Sequence, residues 1–201
     1  MAVDLKSLLI AARDTVQHPR AGARAVITMA LPGPIGWLAL VLMAVISAAL
    51  AAVIYAAFPI AADPAAPQMA AMEQILANPL LLALMQTAIL GIGAMLIWRI
   101  GRAFGGAGTL ANAVALLAWL EFILLLLQVA QTVTMAISPP LSQAIGVFGF
   151  VLFLWLLANF TAELHGFASV FTTFLGIVGS VIALSFMAAI IIAVLIGGRA
   201  T

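Results

Sequence analysis

Five long apolar runs organise the chain. Residues 35–58 hold no charge and stop at Pro59, and residues 80–98 open after Asn78-Pro79 and stop at Arg99 and Arg102. Residues 110–134 contain one acid, Glu121, and close at Ser138-Pro139-Pro140. Residues 143–162 and 171–196 follow, the last ending at Gly197-Gly198-Arg199. A hydrocarbon core of about 30 Å takes about 20 apolar residues as helix, because backbone groups facing lipid must bond within their own segment. Each run meets that length. Alternating strands of about 10 residues, the mark of an outer-membrane barrel, are absent.

Ahead of the first run, Leu5, Leu8, Leu9, Ala12 and Val16 fall on one helical face, while Lys6, Arg13 and Asp14 lie off it and Ile10 breaks the pattern. This predicts a short amphipathic helix in the headgroup plane, ended by His18-Pro19. A short helix packed on the bundle is the other reading of so small a stretch. The first long run starts too late and runs too long for the core of a removable signal. The predicted fold class is an all-α integral membrane protein, a five-transmembrane-helix bundle with a short N-terminal amphipathic interfacial helix. Residues 1–34 form the N-terminal segment and residues 35–201 the transmembrane domain.

Composition agrees. The chain is 67% hydrophobic and 6% charged, with a mean hydropathy of +1.33, whereas soluble chains are about a quarter charged. A soluble enzyme, a nucleic-acid binder and a disordered chain are excluded, and membrane lipid is the first expected partner. Without cysteine there is no disulfide framework, thiolate metal site or cysteine nucleophile. Lys6, Arg13, Arg20 and Arg24 precede the first span, Arg99 and Arg102 lie between the second and third, and only Arg199 falls on the other side. The positive-inside rule then predicts a cytoplasmic N-terminus and an opposite C-terminus in the cell's inner membrane.

Glu121 lies near the centre of the third span, where burying a charge costs at least about 2.5 kcal/mol. Gln128 and Thr132 follow at i+7 and i+11 on the same helical face. One reading is a polar track for a proton, ion or lipid headgroup. The other is a protonated glutamic acid hydrogen-bonding a neighbouring helix. A second cluster, Asn159, Glu163 and His165, closes the fourth span, with an ion pair such as Glu163 with Arg102 expected at the cytoplasmic rim. One histidine beside one acid is weak for a metal, and neither a metal nor a cofactor is expected. Residues 101–109 are glycine-rich but lack the Gly-Lys-Ser/Thr ending of a phosphate loop and follow no strand. They predict a tight turn, with Gly101 and Gly105 permitting close helix approach. Ala44, Ala48, Ala52 and Ala56 in the first span, and Gly176, Gly179 and Ala183 in the fifth, make small-residue stripes suited to helix packing or self-association.

With this layout the chain resembles the Yip domain family (Ypt/Rab-interacting proteins and their prokaryotic relatives). The residues that carry the likeness are His18-Pro19-Arg20-Ala21, Gly105-Gly106-Ala107-Gly108-Thr109-Leu110 and Leu164-His165-Gly166-Phe167-Ala168-Ser169, together with the five-span profile. The resemblance supplies no catalytic residue. Many family members have a proline in the third span, where this chain has none and carries Glu121 instead. Eukaryotic relatives carry a long cytosolic N-terminal segment, and only residues 1–34 precede the first span here, so small-GTPase binding is not carried over. The alanine-rich chain looks like a bacterial member.

The functional expectation is a non-enzymatic partner-binding, accessory or membrane-organising component of a larger membrane complex, in contact with other membrane proteins or with itself. The alternative is a channel or carrier for protons, ions or lipid along the face of Glu121. No internal repeat divides the five spans, which disfavours a secondary transporter. No Ser, His and Asp constellation suggests an enzyme.

Overall fold

The computed structural model describes residues 4–58, 74–75 and 77–197. Arg199, counted above on the opposite side, lies outside the described residues. Seven helices occur among the described residues: α1 (Leu5–Gln17), α2 (Pro19–Thr28), α3 (Gly33–Ala57), α4 (Pro79–Ala103), α5 (Leu110–Ile137), α6 (Pro139–His165) and α7 (Val170–Gly197). The last five are long and apolar enough to cross a membrane.

Their ends follow local chemistry. Pro19 cannot donate to the α1 ladder and so starts α2, where its missing N–H is not needed. Asn78 accepts from Leu81 N–H (3.1 Å) ahead of Pro79, and Thr109 Oγ1 accepts from Asn112 N–H (3.2 Å) at the start of α5. Gly166, at φ 74°, closes α6 in a Schellman arrangement, with Phe167 N–H donating to Ala162 O (2.8 Å) and Gly166 N–H to Glu163 O (3.3 Å). α4 runs past Arg99 and Arg102 to Ala103, farther than the apolar run, because a charge near a span end snorkels without breaking the helix.

α5 is the central helix. Over its most apolar stretch 56% of residues are buried, against 0% for α7. α3, α4, α6 and α2 surround α5, while α7 rests on α6 alone among the main contacts. Lipid offers side chains as apolar a setting as the protein does, so close packing rather than water exclusion holds these helices together. Ala44, Ala48, Ala94, Ala113 and Ala162 are almost fully buried at the approaches, and Leu40, Val114, Leu120 and Leu156 fill the core. Ala52 is half-buried and Ala56 exposed, so the α3 stripe packs over its first half only. On α7, Gly176, Gly179 and Ala183 are exposed, and a Cβ added at either glycine meets nothing within 4 Å. Among the described residues nothing packs against that stripe, so of the two uses expected of it only contact with another molecule is left open.

α1 and α2 form a bent pair across one end of the bundle. Ala12, Thr15, Ala23 and Val26 are buried, and Trp119 Nε1 on α5 donates to Thr15 Oγ1 (3.2 Å). Gly22 sits against Thr15, whose side chain a Cβ would overlap. Leu5, Leu9 and Ile10 at the start of α1 remain exposed. The second half of the N-terminal segment is thus seated on the bundle, and its first half presents apolar side chains outward.

Candidate functional site

Two polar clusters stand out, one midway along the bundle and one at its α1–α2 end. In the first, Glu121 is buried on α5, and Gln86 on α4 donates its amide to Glu121 Oε1 (2.5 Å). About two turns farther along α5, Gln128 makes a two-bond bridge to α3: Ser47 Oγ donates to Gln128 Oε1 (2.7 Å) and Gln128 Nε2 donates to Ser47 O (3.2 Å). Such bridges hold helices at a fixed register in lipid. Thr132 shares the helical face but turns its hydroxyl back onto Gln128 O (2.7 Å), the usual way a helical threonine satisfies itself. Its place in a track is therefore taken by Gln131.

These groups floor a cavity of about 310 Å³. Ser47, Glu121, Gln128 and Gln131 supply its polar lining, and Leu124, Leu127, Ile145, Phe150 and Phe153 its apolar walls. α6 lines it with Gly146 and Gly149, against which Gln131 and Leu127 pack closely: an added Cβ would stand 2.8 Å from Gln131 Nε2 and 2.9 Å from Leu127 Cδ2. Phe150 at the edge is 63% exposed, so the cavity is a cleft facing the side of the bundle. It extends from Glu121 to Gln131, roughly 15 Å along the helix axis at 1.5 Å per residue. Toward the other end of α5, Ala113 to Leu120 are packed with Ala, Val, Leu and Trp side chains, and the cleft stops. Gln86, Ser47 and Gln131 were not singled out from the sequence. Gln86 had a signal as an amide inside an otherwise apolar run, and Ser47 one as a hydroxyl beside the Ala44–Ala48 stripe.

The second cluster is arranged differently from the sequence expectation. Glu163 pairs with Arg20 (Nε to Oε2, 3.0 Å) and Arg24 (Nε to Oε1, 2.8 Å) of α2, not with Arg102, which is exposed on α4. α2 reaches the end of α6 because Pro19 turns the chain back over the bundle, a placement that no spacing along α4 or α6 encodes. Arg20 also donates to Phe167 O (2.9 Å) and Ala168 O (3.3 Å), so one guanidinium ties α2 to the acid and to the α6–α7 turn. Asn159 stands apart, its amide donating to Trp155 O (2.8 Å) on its own helix.

His165 is buried among glycines. Gly108 N–H donates to Nδ1 (3.3 Å), which leaves Nε2 to donate to Ile97 O (3.1 Å) and fixes the neutral tautomer. The ring stacks on Phe167, centroids 5.4 Å apart. A Cβ at Gly101 or Gly106 would overlap the imidazole, and one at Gly108 would crowd it and Leu164. Gly101 therefore permits the close approach expected of it, with the histidine ring as its neighbour. Gly105 differs: it has open space around it and φ 85°, and it serves the turn through left-handed backbone freedom rather than helix approach. With both ring nitrogens engaged, His165 is a structural post and not a free base. Among the described residues no three His, Asp or Glu side chains converge as a metal site.

Residues 101–109 and 164–169, far apart in sequence, thus interlock at one point of the bundle. A family model described as the Yip1 domain matches residues 13–197. No curated protein and no solved structure matches the chain.

Proposed function

From a chain that belongs to the Yip1 domain family, we propose a bacterial-type, non-enzymatic component of a larger membrane complex, one that binds or organises neighbouring membrane proteins. The observation that carries this reading is α7. It is a span-length apolar helix with no buried residue over its most apolar stretch, leaning mainly on α6 and turning Gly176, Gly179 and Ala183 outward. A helix so exposed is the natural contact for a foreign transmembrane helix or a second copy, since small residues let backbones approach. The cleft at Glu121 supports binding more than conduction, because it ends halfway along α5.

In the orientation we propose, the α1–α2 end faces the cytoplasm, gathering Lys6, Arg13, Arg20, Arg24, Arg99 and Arg102 there. The exposed Leu5, Leu9 and Ile10, beside Lys6 and Arg13, fit a half-helix lying in the headgroup layer. Nucleic acid and small GTPases have no place in this reading.

Purification in mild detergent, with a photo-crosslinking residue at position 179, tests it. A discrete cross-linked product, absent when the probe is moved to buried position 117, is expected. A protein that stays monomeric and uncross-linked from position 179 in its native membrane overturns it.

A further inference from the structure

We propose that the cleft floored by Glu121 is a binding site for a protonated amine carried on an apolar body. This goes beyond the partner-binding reading of α7 and does not depend on it. Four observations point to that chemistry. First, among the described residues Glu121 is the one ionisable side chain lining the cavity, and no Lys, Arg or His joins it there. An acid held inside a bundle marks a site whose partner has to be named, and no described base supplies one at that depth.

Second, the acceptors are not used up. A carboxylate offers about four lone-pair sites, and Gln86, with Ser47 standing beside the group, engages at most two. The side chain of Gln131 lines the cavity and, among the described residues, bonds to no other side chain, leaving its carbonyl for a second N–H. Gln128 and Ser47 are already satisfied by each other and act as wall. Third, Phe150 and Phe153 line the same space. Aromatic faces attract a cation and exclude an anion, and the absence of bases from the lining removes carboxylate and phosphate ligands from contention. Fourth, about 310 Å³ lies at the small end of the range for small-molecule sites. It suits a head with its first methylenes, while the exposed flank at Phe150 lets the remaining chain lie in lipid. A primary ammonium can come from a free alkylamine or from a phosphatidylethanolamine headgroup.

Dodecylammonium, added to the full chain in phosphatidylcholine nanodiscs and followed by native mass spectrometry, tests this against dodecanol. One dodecylammonium is expected to bind at least about tenfold more tightly than dodecanol, the ratio that about 1.4 kcal/mol of charge recognition provides. Glu121→Gln, which keeps size and the bond from Gln86, is expected to abolish the preference. Gln131→Leu, which breaks no bond between side chains, is expected to reduce it and guards against a folding defect in the first variant. Competition assigns the source: displacement by phosphatidylethanolamine supports a lipid headgroup, and retention against it supports a free amine. Equal binding of dodecanol and dodecylammonium overturns the proposal, as does an unchanged preference in Glu121→Gln.

Discussion

The two polar clusters hold similar residue types, an acid with amides in one and an acid with a histidine and arginines in the other, yet they are built to opposite ends. Around His165 and Glu163 every group is matched: both imidazole nitrogens are bonded, both carboxylate oxygens meet a guanidinium, and glycines close on the ring. Around Glu121 glycines on α6 also take close contacts, from Gln131 and Leu127, yet the polar groups beside them are left with spare acceptors in a cleft. A polar residue inside a membrane bundle is thus structural or available according to how completely its neighbours satisfy it, and residue type alone does not separate the cases.

The largest effect belongs to the closed cluster. Gly101→Ala drives a methyl into the His165 ring and is expected to cost about 3 kcal/mol, the upper range for overpacking. Gly105→Ala has space but a left-handed backbone and is expected to cost about 1 kcal/mol. Thermal unfolding in detergent ranks the pair, and equal losses would mean that the glycines serve only the turn. Next comes Arg20→Ala, which frees Glu163 Oε2 and two turn carbonyls while Arg24 keeps Oε1. It is expected to lose about 1 kcal/mol, against under about 0.5 kcal/mol for Arg24→Ala, whose side chain is 70% exposed. Hydrogen exchange at residues 166–169 should rise in the first variant only. Should both respond alike, the turn is not held by Arg20.

Effects in the open cluster are smaller. Gln128→Leu removes the bridge to Ser47 and is expected to cost about 0.6 kcal/mol, the average for interhelical hydrogen bonds in lipid. A loss as large as that of Gly101→Ala would make the cleft a structural lock and erase the contrast. The smallest change is expected from Thr161→Val on α6, where the buried hydroxyl has no partner among the described residues. Stability should hold within about 0.5 kcal/mol or rise, because an unpaired buried polar group is removed. A clear loss there would show that the hydroxyl has a partner in solution.

Some of this was legible in the residues. Glu121 declares itself as an acid inside an apolar run, and the glycine-rich turn and the Leu164-His165-Gly166 stretch were visible as motifs. That His165 fills the space left by Gly101, Gly106 and Gly108 was not, since neither stretch says which other it meets. Nor was the pairing of Glu163 with Arg20, which spans 143 positions, or the substitution of Gln131 for Thr132 in the cleft, which turns on one hydroxyl choosing its own backbone.

The sequence by itself determined the number of long apolar helices, where they break, and on which side of each boundary the cations gather. Hydropathy, proline geometry and capping act over a few neighbouring residues, so a linear reading contains them. Only the tertiary structure decided which acid is sealed and which is left open, and which helix stays outside the core. Those outcomes depend on side chains meeting across distant segments, where a single missing Cβ decides which side chain can come close.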